Sequence, residues 1–400
     1  MDNDAEMLAR LSGLLDETGI GIGRLTPRPR GGRLSGEPQQ QVERVLDVLE
    51  ASKAAKTSLV YGNGCFAVGR YAEAADVYQR IAVENTNCLE AGFNLGLAFL
   101  RLRKPREATI EFTRVIGKDP SLAEAYYQRG NAYDDLGEPD LALADYGLAI
   151  TAKQDYLQAF YNRGIALARL ARHAEAVTDF DQVIQLGPTV SNAYLNRGAS
   201  LDEMGEHERA ISDYTAAVTC NPDNFDAYFN RARTNYYLGR LEETVSDYSQ
   251  VVTLSPEDAE AFNNRGLAFD ALGDYESAMN DYAKALDLRP DFAEARSNRG
   301  AALEAMGNRD EALREYLMAV EASPEFAAAH YNAARLYSRA GDLDRCLDHL
   351  DSAVRLAPQF SSEAEEDENL AWVMKMGMLK KLRESPNYAQ PESLAEGTED

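Results

Sequence analysis

Small, aromatic and polar positions recur along this chain at a fixed interval of 34 residues. Units beginning at Ala55, Leu89, Ala123, Leu157, Ser191, Phe225, Ala259, Ala293 and Ala327 can be overlaid without an insertion or deletion. Position 8 of each unit is Gly, except at Ala232 and Ala334, and position 20 is Ala except at Thr244 and Cys346. Position 24 is aromatic in eight units (Tyr78, Phe112, Tyr146, Phe180, Tyr214, Tyr248, Tyr282 and Tyr316), and position 27 is always Ala, Val or Ile. Offsets of three and four between apolar residues mark one face of a helix. Gly or a polar pair near position 15 ends a first helix, and Pro at position 32, in seven units from Pro120 to Pro358, ends a second. Each unit is therefore predicted to be a hairpin of two short antiparallel helices. Such a hairpin is too small to bury its apolar face alone, so the stacking of neighbours must supply the core.

The pattern L/R-G-x-x-Y, then A-x-x-x-F/Y-x-x-A, then Pro, resembles the tetratricopeptide repeat over residues 55–360. The resemblance implies an all-α, right-handed α-solenoid superhelix of nine tandem hairpins. In that geometry the first helix of each hairpin lines a concave groove, the second faces outward, and family members bind other proteins in the groove.

The flanks depart from the period. Residues 1–54 contain "GIGIGRLTPRPRGGRLSG", rich in Gly, Pro and Arg, and are expected to form a flexible region with short helices near Asp4 to Glu17 and Pro38 to Lys53. The Gly19, Gly21 and Gly23 run is no phosphate loop, because no apolar strand precedes it and no GK[ST] follows. Arg24, Arg28, Arg30 and Arg33 form a basic cluster suited either to an acidic partner or to the acidic repeats themselves. Residues 361–384 keep a helical spacing through Leu370, Val373, Met376 and Leu379 and are expected to cap the last hairpin, leaving 385–400 as a disordered tail. The "EDENL" that opens this segment resembles the terminal segment of prokaryotic tetratricopeptide proteins.

The tripeptide Asn-Arg-Gly begins at Asn162, Asn196, Asn264 and Asn298, and its three residues answer to different demands. A mid-helix Gly costs about 1 kcal/mol relative to Ala, so its recurrence needs a packing reason. Arg at position 7 occurs in six units (Arg129, Arg163, Arg197, Arg231, Arg265, Arg299), and sixteen residues later those units carry Asp145, Asp179, Asp213, Asp247, Asp281 and Glu315. Where that Arg is missing, the later position is Val77, Glu111 or His349. The coincidence predicts an Arg-carboxylate pair between helices, within a hairpin or with its neighbour.

Position 6 is an amide in eight successive units: Asn94, Gln128, Asn162, Asn196, Asn230, Asn264, Asn298 and Asn332. It shares a helix face with positions 2, 5, 9, 12 and 13. A primary amide donates and accepts, which matches the N–H and C=O of a peptide backbone without reading its side chains. The row resembles the asparagine ladder of the O-GlcNAc transferase repeats, which implies that these amides hold an extended polypeptide. The other reading is a hydrogen-bond network between neighbouring helices, since Asn inside a helix needs a partner.

Beside the row, Phe93, Tyr127, Tyr161, Phe229 and Tyr331 at position 5 offer apolar surface, and Arg233, Tyr236 and Tyr237 form the cluster most like a binding hot spot. Acids at position 2 (Glu90, Glu124, Asp226, Glu260, Glu294) and position 12 (Asp134, Asp202, Asp270, Glu304) favour a partner with basic residues. Repeats that grip the acidic C-terminus of heat-shock chaperones carry Lys or Arg at positions 2, 5 and 6, a pattern this chain lacks.

Charge and composition narrow the classes that remain. A net charge of −25 over 400 residues disfavours nonspecific binding to nucleic acid or anionic membranes. No apolar run approaches a membrane span and the N-terminus has no secretory pattern, so a cytoplasmic protein is expected. Cys65, Cys88, Cys220 and Cys346 lack metal-ligand spacing, and His173, His207, His330 and His349 fall at unrelated repeat positions, so neither metal nor cofactor nor catalysis is expected. The expected function is a protein-binding scaffold. The alternative is a self-assembling module, using the open face of the first unit or the helix near Gln41 to Ala51, with the N-terminal region as an effector arm.

Overall fold

The computed structural model describes residues 2–20, 23–25, 34–50, 52 and 55–377. Among the described residues the regular structure is helical throughout, with no strand. Two compact units divide the chain, residues 1–213 and 214–400.

The first unit opens with α1 (Asp2–Glu17) and α2 (Gly36–Leu49). Its hairpins are α3 (Leu59–Ala67) with α4 (Tyr71–Glu84), α5 (Leu89–Arg101) with α6 (Pro105–Lys118), α7 (Ala123–Asp135) with α8 (Pro139–Ala152), and α9 (Leu157–Arg169) with α10 (His173–Leu186). It then enters α11 (Ser191–Glu203), and its boundary falls inside α12 (His207–Cys220). The second unit pairs α13 (Phe225–Tyr237) with α14 (Leu241–Leu254), α15 (Ala259–Ala271) with α16 (Tyr275–Leu288), α17 (Ala293–Ala305) with α18 (Arg309–Ala322), and α19 (Ala327–Ala340) with α20 (Leu343–Leu356). Two short helices, α21 (Phe360–Glu366) and α22 (Ala371–Lys375), follow.

Local chemistry explains the repetition. Position 15 closes the first helix in the left-handed backbone region in every unit: Gly does so in seven, as at Gly273 with φ 81°, and Arg103 (φ 58°) and Ala171 (φ 56°) do so at a steric cost. At six of the position 8 glycines (Gly62, Gly96, Gly130, Gly164, Gly266 and Gly300) a side chain would crowd the aromatic ring of position 24. A Cβ on Gly62 would lie 2.6 Å from the Tyr78 ring, and one on Gly96 2.7 Å from Phe112. The two helices of a hairpin touch through that missing methyl.

At the N-terminus the two expected helices are present and are packed into a core. Leu11, Leu15, Val42, Val45, Leu46 and Leu49 are buried, and a Cβ on Gly64 of α3 would sit 3.1 Å from both Leu11 and Leu46. Ser52 Oγ donates to Asp4 at 2.6 Å, and Arg70 pairs with Asp47 at 2.9 Å. The helices were expected from spacing, but their role was not: α1 and α2 cover the face of the first hairpin that the sequence left open for self-assembly. Arg28, Arg30, Arg33, Gly21 and Lys53 lie outside the described residues.

At the other end the segment after Pro358 is two helices rather than one. Asp367 breaks it by accepting from the backbone N–H and side-chain Nδ2 of Asn369, at 2.7 and 3.0 Å. Ala364, Leu370 and Val373 are fully buried in the core of the last hairpin, while Met376 is more than half exposed. Leu379 and the proposed tail lie outside the described residues.

Candidate functional site

Three rows of side chains run along the first helices of the hairpins, and their geometry separates structural from ligand-facing chemistry. The position 7 row is the most buried in purpose. Arg129 reaches Asp145 with two parallel bonds of 2.7 Å, and Arg163, Arg197, Arg231 and Arg265 grip Asp179, Asp213, Asp247 and Asp281 in the same two-pronged way. Arg299 donates to Glu315 at 2.6 Å. The guanidinium also bridges hairpins, since the third nitrogen of Arg197 donates to Asp181, and that of Arg231 to Thr215. Asp213 holds the Arg197 guanidinium above its ordinary pKa through this hydrogen bonding. Five of these arginines, all but Arg299, lie over the ring three residues earlier, as Arg163 does over Phe160 at 5.7 Å. Every pair suggested by the sixteen-residue spacing forms, and none presents a free guanidinium for a ligand.

The position 6 row behaves differently along its length. Asn162 donates Nδ2 to Tyr127 Oη (3.1 Å) and Asn131 Oδ1 (2.9 Å) of the preceding hairpin. Asn196 donates to Tyr161 Oη at 3.1 Å, and Asn298 to Asn263 Oδ1 at 2.9 Å. Burial keeps the Tyr127 and Tyr161 hydroxyls above the usual tyrosine pKa, so they remain neutral partners. Gln128 is buried and accepts from Asn131, Asn264 accepts from Asn263, and Asn332 accepts from Arg335. Asn230 is half-buried. In several hairpins the amide N–H thus ties one unit to the unit before it.

At Asn94 the amide does both jobs at once. Its Nδ2 donates to Asn63 Oδ1 (3.0 Å) and to the backbone carbonyl of Gly23 (2.9 Å), while its Oδ1 accepts the backbone N–H of Leu25 (2.8 Å). Asn63 Nδ2 donates to the same Gly23 carbonyl at 2.9 Å and takes the Tyr78 hydroxyl on its Oδ1 at 2.7 Å. A primary amide, with its donor and acceptor on adjacent atoms, can donate to a carbonyl and accept from an N–H two residues further on with one side chain. The chain's own backbone is held here in the manner expected for a peptide ligand.

Position 5 follows the same division. Phe93 is fully buried, edge-on to Phe112, with the Arg24 guanidinium 5.5 Å from its ring centroid. Tyr331 is nearly buried, stacked on Phe360 at 4.6 Å and donating to Asp367 at 3.5 Å. Tyr127, Tyr161 and Phe229 are half-buried. Arg233 is exposed, and Tyr236 and Tyr237 are 40% and 73% exposed. Among the acids, Glu124 faces Arg24 at 3.8 Å. Asp134 pairs with Arg169, Asp202 with His207 at 2.8 Å, and Glu304 with Arg335 and Arg339 at 3.3 and 3.4 Å. The position 12 acids are thus partly neutralised from within, which the sequence count of charges did not show.

Sequence reasoning missed Asn63 and Asn131, the position 9 amides. Their signal was available, since each lies 31 residues before a position 6 Asn, but position 9 is polar in too few units to stand out. It also missed that His330 and His349 meet at 3.0 Å between Nδ1 atoms. Burial pushes both imidazoles below the usual histidine pKa, and the neighbouring His330 lowers His349 further. No disulfide joins the four cysteines, and burial raises the Cys65 thiol to about 12 and Cys346 to about 11, which makes both unreactive. Among the described residues no group of three or more His, Cys, Asp or Glu is placed to hold a metal ion, and no helix is long and apolar enough to cross a membrane.

Sequence profiles of tetratricopeptide repeats match residues 62–123, 93–156, 127–191 and 297–359, with further repeat profiles at 191–224, 214–245, 232–273 and 271–307. No curated protein matches the chain. Similar solved structures include YrrB, described as a TPR protein with an unusual peptide-binding site, at 24% identity over 49% of this chain and 97% of that one, TM-score 0.42. PilW, described as a type IV pilus biogenesis factor, is 23% identical over 52% of this chain and 97% of its own, TM-score 0.45. PilF of Pseudomonas aeruginosa is 20% identical over 52% and 95%, TM-score 0.45.

Proposed function

Since the chain belongs to the tetratricopeptide repeat family, we propose that it is a non-catalytic scaffold that binds an extended segment of another protein along the groove-lining first helices. The observation that carries this reading is Asn94, whose one side chain meets both a backbone carbonyl and a backbone N–H of Gly23 to Leu25. Further along the row, the N–H groups of Asn162 and Asn196 bond to the preceding hairpin, which fixes each amide plane and leaves the carbonyl end to receive a peptide N–H. In the first compact unit half-buried Tyr127 and Tyr161 would flank such a peptide, and in the second half-buried Phe229 with exposed Arg233 and Tyr236 offers a surface of the same kind. A basic partner is favoured by the net charge, and a reducing cytoplasm suits four cysteines that form no disulfide.

Short displayed peptides selected on the immobilised chain provide the test. Selected peptides should lose about tenfold or more in affinity for an Asn162→Ala, Asn196→Ala double variant, the effect of one hydrogen bond of about 1.4 kcal/mol or more. Their binding should also fall when single peptide nitrogens are methylated. Peptides that bind the double variant as well as wild type, and tolerate methylation everywhere, would show that the amide row only links hairpins.

A further inference from the structure

We propose that Gly23-Arg24-Leu25 is a built-in occupant of the N-terminal end of the binding face, and that it specifies the ligand displacing it. That ligand is an extended segment of another protein carrying a basic residue followed directly by a large apolar one. The inference rests on the backbone-clamp reading above and adds to it a register and a side-chain preference.

Each residue of the segment meets a different kind of surface. Gly23 contributes its carbonyl, bonded by both Asn63 and Asn94, and a Cβ built on it meets nothing within 4 Å. The first ligand position is therefore held by backbone and open to any side chain. Arg24 sets its guanidinium over the Phe93 ring and 3.8 Å from Glu124, so the second position is read by an aromatic face next to a carboxylate. Leu25 gives its N–H to Asn94 Oδ1 and is 4% exposed within the N-terminal apolar core, so the third position is read by burial. Purely structural docking would be served by Leu25 alone. It would not require two amides from successive hairpins to converge on the Gly23 carbonyl, nor an arginine aimed at the position 2 acid that the sequence marks as ligand-facing.

Tethering makes the occupant effective. A segment joined to its site has an effective concentration on the order of millimolar, and a competing ligand's apparent affinity falls by the fraction of chains left open. The N-terminal end is thus masked until a better match, or a ligand already seated further along the row, displaces the segment.

The experiment uses full-length chains and a fluorescein-labelled synthetic peptide with the sequence of residues 20–26, read by fluorescence polarisation. Leu25→Asp, whose own segment cannot bury a carboxylate, should bind the peptide at least about tenfold more tightly than wild type. Arg24→Glu leaves the buried leucine in place and should shift affinity in the same direction, which covers the case in which Leu25→Asp disturbs the N-terminal helices. Gly23→Ala should leave affinity unchanged, and Asn94→Ala added to Leu25→Asp should abolish the gain. A peptide with its Arg and Leu exchanged should not bind. Equal peptide affinity across wild type, Leu25→Asp and Arg24→Glu, with far-UV circular dichroism confirming folded chains, would overturn the proposal. So would equal binding of the exchanged peptide. The Asn162, Asn196 double variant separates the two readings: if selected peptides still depend on that pair while Leu25→Asp and Arg24→Glu change nothing, only the built-in occupant is lost.

Discussion

Position 5 carries the same kind of residue at the ends of the repeats and in their interior, but its environment differs. Phe93 lies beneath Arg24 and is fully buried, and Tyr331 lies beneath Phe360 and Asp367 and is nearly so. Tyr127 and Tyr161, with the same ring and the same offset, are half-exposed. Nothing in the first helices accounts for the contrast between Phe93 and the two tyrosines, since all three rings lean on the aromatic ring of the partner helix, Phe93 on Phe112, Tyr127 on Tyr146 and Tyr161 on Phe180. What differs is whether the chain's own terminal segment crosses the face. At both ends the ring is covered by residues from outside the hairpins, Arg24 over Phe93 and Phe360 over Tyr331.

The strongest test of that contrast uses the row it should not touch. Arg197→Met removes half of a mostly buried ion pair and leaves the Asp213 carboxylate without its partner, at an expected cost of about 2–4 kcal/mol. Arg129→Met should cost about as much, because both pairs are internal to hairpins whatever lies over the face. An unchanged thermal midpoint for either variant would mean these pairs do not hold the hairpins together.

Asn94 and Asn196 should then diverge. Asn94→Ala loses bonds to Gly23, Leu25 and Asn63, with an expected cost of about 1–3 kcal/mol in urea unfolding, whereas Asn196→Ala should cost about 1 kcal/mol or less. Equal costs would erase the distinction between the covered and uncovered amides.

Acid should separate the two ends. His330 and His349 are buried with folded pKa values below the ordinary histidine value, so the unfolded chain binds more protons as pH falls through about 6.5. Their contribution to stability is complete above that pH and is lost on acidification below it. The protection of α19 and α20 amides, taken relative to the exchange rate of an unstructured chain at each pH, should fall between about pH 6.5 and 5, with α1 and α2 unaffected, and His349→Gln should blunt the change. An equal loss of protection at both ends would assign the effect to carboxylates instead.

The smallest expected effect concerns the tyrosines of position 24. Tyr146 donates to Asn131, but Tyr282 is buried with no hydrogen-bond partner for its hydroxyl, because Leu267 stands where Asn131 stands in the earlier unit. Tyr146→Phe should cost about 1 kcal/mol and Tyr282→Phe should be neutral or slightly stabilising, measured by thermal unfolding. The reverse order would place a partner on Tyr282 and not on Tyr146.

Much of this molecule was legible in its sequence, for an identifiable reason. The hairpins, the glycines at position 8 and the Arg-carboxylate pairs depend on residues within one repeat length, and every repeat presents the same evidence again. Arg197 and Asp213 could be paired from spacing because six units repeat the coincidence. Asn63 and Asn131 appear too rarely for that logic, and the His330 and His349 contact occurs once.

Sequence alone determined that the chain is a row of helical hairpins whose first helices carry an amide face, because periodic spacing maps directly onto helix faces. Tertiary structure decided what lies on that face. Gly23 to Leu25 contains no period, and its glycine and arginine read as linker. Its seat on Asn63 and Asn94 accompanies the burial of Leu11 and Leu46 against Gly64, contacts between parts of the chain far apart in sequence. Contacts made once, between parts distant in sequence, leave no repeated signature, and here they distinguish an open site from an occupied one.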